Sequence, residues 1–289
     1  MPVPRGYNDT CGASSARRSQ SLVSRPCERI PMPDVLQIVR EGRVLRIFLN
    51  RPDKRNALNA ELCRTLVDAI EEGDRDPGIG AILLAGRGKS FCAGMDLQEV
   101  GSGDSQELAD AHERLFTVGS RLGKPLIAAV HGAALAGGTG LVANCHIAIA
   151  AEDATFGLTE IRLALWPFLV FRAVAAALGE RRTVELALTG RILRGREAWE
   201  MDLIHEVTPE PEKRGMEVAE SLAAFSPTAI RSGLLYVQES RGKDWQTAGA
   251  IAQRARNEVF QSPDFQEGIR AFREKRLPRW PSVEKSKNL

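Results

Sequence analysis

The apolar residues of this chain change rhythm from its first half to its second. Val44 to Leu49 alternates well enough to predict a strand. A polar stretch from Asn50 through Arg51, Pro52 and Asp53 to Leu58 reads as a loop. Asn59 stands where it can cap a helix running to about Glu72, with Leu62, Leu66, Ala69 and Ile70 on one face. Gly73 and the Asp76-Pro77-Gly78 turn end it. Ile79 to Ala85 is wholly apolar, which predicts a strand covered on both faces. Ser105 to Leu122 has helical spacing, and Leu126 to Val130 and His146 to Ala150 read as two more buried strands.

Later the helical period dominates. Helices are expected over about 166–178, 180–188, 196–202, 211–225 and 227–239. A last helical stretch over about 246–276 is broken at Ser262-Pro263, and Ile204 to Val207 predicts a short strand. Strands early, helices late and buried strands between helices give an α/β core followed by a helical C-terminal region. The division predicted is a leader over 1–33, a core over 34–225 and a helical region over 226–289. The leader lacks apolar periodicity and is rich in Arg and Ser, with only Asp9 and Glu28 as acids. It reads as disordered, with a cleaved organellar transit peptide as the alternative.

One stretch has the length of a membrane span. Leu126 to Ala151 holds 26 residues without Asp, Glu, Lys or Arg. Its four glycines cluster in the middle, so it reads as strand, tight turn with a short helix, and strand. The remaining composition is that of an ordinary globular protein: 43% hydrophobic and 26% charged, net charge +2. Such a charge gives no general attraction to nucleic acid or anionic membrane. Five cysteines without a C-x-x-C pair read as reduced thiols in a cytoplasmic setting, and four scattered histidines give no metal site.

Two glycine-rich turns carry the chemistry. The first is Ser90-Phe91-Cys92-Ala93-Gly94-Met95-Asp96, and the second runs from His131 through Ala136-Gly137-Gly138-Thr139-Gly140. Each follows an apolar strand and is expected to open a helix, with Asp96 as the cap of the first. Glycine there lets a main-chain N–H stay unpaired and face outward. Two such donors on one point would hold an oxyanion, each worth roughly 3 kcal/mol in a transition state. A carboxylate, Glu160, follows twenty positions after Gly140, in Phe156-Gly157-Leu158-Thr159-Glu160. No G-x-S-x-G supports a hydrolase, and the second turn lacks the G-x-G-x-x-G spacing of a dinucleotide site.

Five ordered stretches together resemble the crotonase superfamily, the enoyl-CoA hydratase/isomerase family. They are Arg51-Pro52 to Asn59, Phe91 to Asp96, His131 to Thr139, Phe156 to Glu160, and Glu267 to Arg276. The resemblance covers nearly everything from Val35 onward. It implies a spiral of β-β-α units with a C-terminal helical trimerisation region, assembled as a homotrimer or homohexamer. It implies an acyl-CoA substrate and no tightly bound cofactor, coenzyme A arriving as part of the substrate. Catalytic roles then fall to the N–H groups of Met95 and Gly137, as oxyanion donors, and to Glu160 as acid/base. Coenzyme A would meet Arg55, Ala57, Leu58, Ala93, Asp96, Leu97 and Gly138, with Phe272 and Lys275 reaching its nucleotide end, often across a subunit boundary.

The chain departs from the hydratases of that family at one position. Gly140 stands where they carry the first of two glutamates, and Leu165 to Phe171 is bulky and apolar where they have a glycine-rich run. One base suffices to move a proton from C2 to C4 of a 3-enoyl thioester, whereas adding water efficiently normally takes two carboxylates. Double-bond isomerisation is therefore the favoured expectation. A weak or anion-assisted hydratase, another enolate-type lyase or decarboxylase, and a non-catalytic acyl-CoA-binding protein stand as alternatives.

Overall fold

The computed structural model describes residues 28–29, 35–99 and 105–285. Its strands are β1 (Glu28–Arg29), β2 (Leu36–Glu41), β3 (Val44–Leu49), β4 (Ala81–Gly86), β5 (Leu126–Val130), β6 (Ala133–Leu135), β7 (Ile147–Ala150), β8 (Thr155–Gly157), β9 (Leu193–Arg194) and β10 (Glu206–Val207). The first helices are α1 (Ala60–Arg75), α2 (Ser105–Thr117), α3 (Gly137–Asn144), α4 (Phe168–Leu178), α5 (Glu180–Thr189) and α6 (Gly195–Glu200). The rest are α7 (Pro211–Ala223), α8 (Pro227–Ser240), α9 (Trp245–Phe260), α10 (Pro263–Arg273) and α11 (Pro281–Lys285).

Seven strands form one sheet in the order β1-β2-β3-β4-β5-β7-β10. β3, β4, β5, β7 and β10 run parallel, which requires a crossover between each pair. β4 and β5 are buried along their whole length because both faces of the sheet are covered. One face packs on α7 through Ala219 and Ala223, and the other on the main core with Leu62, Leu66 and Ile70. Asn59 caps α1 as expected, its Oδ1 accepting from the Leu62 N–H at 3.0 Å. The stretch of membrane-span length resolves into β5, β6, α3 and β7, and no helix among the described residues is long and apolar enough to cross a membrane.

Some boundaries differ from those predicted. β1 lies inside the stretch read as leader, paired antiparallel with Val39 and Arg40; the rest of residues 1–33 lies outside the described residues. The helix expected over 105–122 ends at Thr117 and tightens into a 3-10 turn over Val118–Arg121. The strand expected over 204–207 is reduced to Glu206–Val207.

A second, three-stranded sheet in the order β6-β8-β9 was absent from the sequence reading. It matters most for the site. β6 leads into the second glycine-rich turn, β8 leads into Glu160, and the two strands are hydrogen-bonded neighbours, Leu135 opposite Gly157.

In the C-terminal region, Glu267 accepts from both Nη1 and Nη2 of Arg276, at 2.6 and 3.1 Å. Asp264 holds Ser226 and Ser282, tying α8, α10 and α11 together. α8 and α9 have no buried residue of their own, so this region is an outlying arm.

Candidate active site

The two glycine-rich turns lie against each other. Gly138 permits the approach: a Cβ there would stand 2.2 Å from the Cys92 carbonyl oxygen. Cys92 also receives from below, its N–H donating to Ala133 O at 2.9 Å while its own carbonyl accepts from Leu135 N–H at 3.0 Å. Gly94 adopts φ +95, and a Cβ on it would meet Ala136 Cβ at 2.9 Å and Gly137 N at 3.5 Å. The main chain at Gly94-Met95 is thus next to the start of α3.

Both candidate donors are left open by this packing. Leu58 N–H donates to Gly94 O at 2.8 Å, and Asp96 N–H donates to Leu58 O at 2.9 Å. This parallel bridge to Leu58 turns the N–H of Met95 to the other side. Gly137 is the first residue of α3, so its N–H has no partner within the helix. Ala136 before it takes φ 52 and ψ −117, unusual for a residue with a Cβ, and its N–H is held by Gly157 O at 2.8 Å. Among the described residues neither the Met95 nor the Gly137 N–H has a hydrogen-bond partner.

Met95, Gly137 and Glu160 line one cavity of about 190 Å³. Its wall is apolar, formed by Leu58, Phe116, Leu165, Trp166, Phe168, Leu169 and Val170. Glu160 begins a short 3-10 turn just after β8. Burial pushes its carboxyl above the usual range, opposed in part by its own main-chain N–H. Its Oε2 is buried without a partner among the described residues. Thr139 fixes the carboxylate relative to the donors. Its hydroxyl lies 2.7 Å from Ala134 O and 3.1 Å from Gly157 O, and accepts from Gly157 N–H at 3.0 Å.

Gly140 sits beneath the cavity with no room beside it. A Cβ there would meet Val170 Cγ1 at 2.3 Å and Val170 Cβ at 2.6 Å, with Phe116 Cε1 at 3.2 Å. The space that a longer side chain would need is filled by α4 and α2.

The residues predicted for coenzyme A fall into three groups. Arg55, Ala57 and Leu58 form a loop beside Ala93, whose N–H donates to Arg55 O at 3.0 Å; Arg55 is exposed. Leu97 is exposed beyond this loop, and Gly138 is buried between the turns rather than on the cavity. Phe272 and Lys275, on and just after α10, are exposed, and neither lines this cavity. The expectation that Asp96 caps the following helix is corrected: α2 begins only at Ser105. Asp96 is buried and accepts from Arg51 Nη2 at 2.9 Å and from Gln98 N–H at 3.2 Å. Buried Asn56, at φ 55, adds to this lock through Arg87 O and Ser90 O.

Sequence reasoning missed the parts played by Thr139 and His112, and took Val170 only as one of the bulky residues from Leu165 to Phe171. His112 lies on the buried face of α2, 6% exposed, and lines the cavity. The available signal was its position beside Ala111 and four before Phe116, on a face that is otherwise apolar.

Comparison with known proteins agrees with this geometry. Residues 40–283 match the family model described as enoyl-CoA hydratase/isomerase. Enoyl-CoA hydratase EchA19 of Mycobacterium tuberculosis is 38% identical over 259 residues, 85% of this chain and 96% of that protein. 2,3-Dehydroadipyl-CoA hydratase of Escherichia coli is 32% identical over 247 residues, 84% of this chain and 97% of that protein. Among solved structures, an enoyl-CoA hydratase from Bacillus anthracis superposes with a TM-score of 0.80 at 31% identity, covering 86% of this chain and 99% of that one.

Proposed function

This chain belongs to the enoyl-CoA hydratase/isomerase family, and from that premise we propose that it isomerises the double bond of an enoyl-CoA thioester with Glu160 as its one proton carrier. The N–H groups of Met95 and Gly137 hold the thioester oxygen as it gains charge. Glu160 takes a proton from C2. The electrons of that bond move into C1–C2 and push the carbonyl pair onto oxygen, giving a dienolate. As it collapses, C2–C3 becomes double and the former C3–C4 pair takes the proton back from Glu160 at C4. Atoms and charge balance without a cofactor, and coenzyme A enters as part of the substrate.

One observation carries this reading. Glu160 is the only carboxylate on the cavity among the described residues, and Val170 fills the space beside Gly140. An apolar pocket that lifts the carboxyl pKa suits a group that must take and return a proton near neutral pH. The test is turnover of 3-enoyl and 2-enoyl thioesters side by side. Faster conversion of the 3-enoyl substrate supports isomerisation; hydration of crotonyl-CoA at ordinary hydratase rates overturns it.

Hydration is the second reading, favoured by the names of the relatives. A lyase or decarboxylase using the same enolate is a third, and the same assays with a 2-carboxyacyl thioester separate it. A protein that only binds acyl-CoA would keep its behaviour when Glu160 is replaced. The outlying α8 and α9 and the exposed Phe272 support a homotrimer or homohexamer, measurable by light scattering. The five widely spaced cysteines without a C-x-x-C pair support a cytoplasmic setting.

A further inference from the structure

We propose that His112 makes the cavity selective for an acyl chain carrying a hydroxyl group, which the imidazole Nε2 recognises by a hydrogen bond. The inference rests on the cavity being the acyl-CoA site and adds the substrate class within it.

The ring is deeply buried on α2, tilted 40° against Phe116 with centroids 5.9 Å apart. Its Nε2 is buried without a hydrogen-bond partner among the described residues. Only one other side-chain atom on this cavity shares that state, Oε2 of Glu160. The remaining cases among the described residues belong to Arg43 and Arg46, away from the cavity. A buried polar atom with nothing to bond costs stability, and most of the other side chains on this wall, from Leu58 and Phe116 to Leu169 and Val170, are hydrocarbon. A plain hydrocarbon chain would leave Nε2 unmet in the bound state as well, and a phenylalanine at 112 would serve it better. The proposed double-bond shift gives His112 no task, so the unmet atom calls for a polar group on the ligand.

The chemistry of the ring selects which group. Burial holds the imidazole below the usual histidine range, with the Leu58 carbonyl and the Glu99 carboxylate opposing, so the ring is biased toward its neutral form. A neutral ring presents either a lone pair or an N–H at Nε2. A hydroxyl answers both, since it accepts and donates; a ketone answers only the N–H, and a methylene answers neither.

Calorimetric binding to the full-length protein decides. Butanoyl-CoA is compared with 3-hydroxybutanoyl-CoA and 4-hydroxybutanoyl-CoA, in the unchanged protein and in His112→Phe and His112→Gln. The expected result is at least one hydroxylated ligand bound about tenfold or more tighter than butanoyl-CoA. His112→Phe should erase that ratio, its fold being checked separately by circular dichroism and thermal unfolding; His112→Gln should keep part of it. Equal binding of all three ligands by the unchanged protein, or a ratio that survives in His112→Phe, overturns the proposal. Failure of the unchanged protein to bind butanoyl-CoA at all would instead remove the acyl-CoA reading beneath it.

Discussion

Val170 on α4 occupies the place of any side chain at position 140, with its Cγ1 2.3 Å from where a Cβ of Gly140 would stand. The two residues are thirty positions apart, and each explains the other. Gly140 lets α4 close on α3, and Val170 fills the space beside it.

This pairing predicts non-additive stability. Gly140→Ala should cost about 1–3 kcal/mol through overpacking, measured by denaturant unfolding. Val170→Gly should cost stability too, through a cavity and a helix glycine. The double variant should cost less than the sum of the two by roughly 1–3 kcal/mol. Gly140→Glu alone should not raise hydration of crotonyl-CoA, whereas Gly140→Glu with Val170→Gly should.

On the proposed mechanism, Glu160 sets the acid limb of the rate profile. Its carboxyl is raised by burial, so as a base it is lost when pH falls through a value above the ordinary carboxylate, about 4.3. The kcat/KM profile should show that limb. Glu160→Gln should lower kcat by about 10²–10⁴-fold with little change in ligand affinity, a split read from steady-state kinetics and calorimetry together.

Thr139 holds the carboxylate strand to the donor turn. Thr139→Val keeps the shape but leaves the N–H of Gly157 without its acceptor. A loss of about 1–3 kcal/mol is expected, with kcat falling more than KM rises. Thr139→Ser should recover most of both. Equal behaviour of the Val and Ser variants would contradict the assignment.

The Arg51–Asp96 ion pair, 2.9 Å long with side chains 17% and 8% exposed, locks the first turn. Asp96→Ala strands a half-buried guanidinium and should cost about 3 kcal/mol. Burial alone would raise the Asp96 pKa, but the Arg51 hydrogen bond, the Gln98 N–H and nearby charge bring it below the usual value. Its contribution is therefore complete above the unfolded value of about 3.9 and fades as pH falls through the lower folded one. Acid unfolding should show that dependence in the unchanged protein and lose it in Asp96→Ala.

The long elements were legible because each declares itself locally. Asn59 with Leu62, Leu66 and Ile70 marks α1 within a few turns, and the alternation at Val44–Leu49 and the apolar run at Leu126–Val130 mark strands. β6, β8 and β9 were hidden because two or three residues hold no period, and their pairing is settled by partners twenty or more positions away. Met95, Gly137 and Glu160 could be singled out from the two glycine-rich turns and the family resemblance, and the structure puts them on one cavity. Val170 and His112 could not, since a valine or histidine in a helix gains meaning only from what packs opposite.

The contact of Gly138 with the carbonyl of Cys92 joins backbone to backbone, and the side chains that lock the first turn, Arg51, Asn56 and Asp96, stand outside the cavity wall. The walls contributed by α2 and α4 can therefore diverge without retuning the clamp. A lineage built this way can exchange one acyl preference for another through a few wall residues while its chemistry is inherited unchanged.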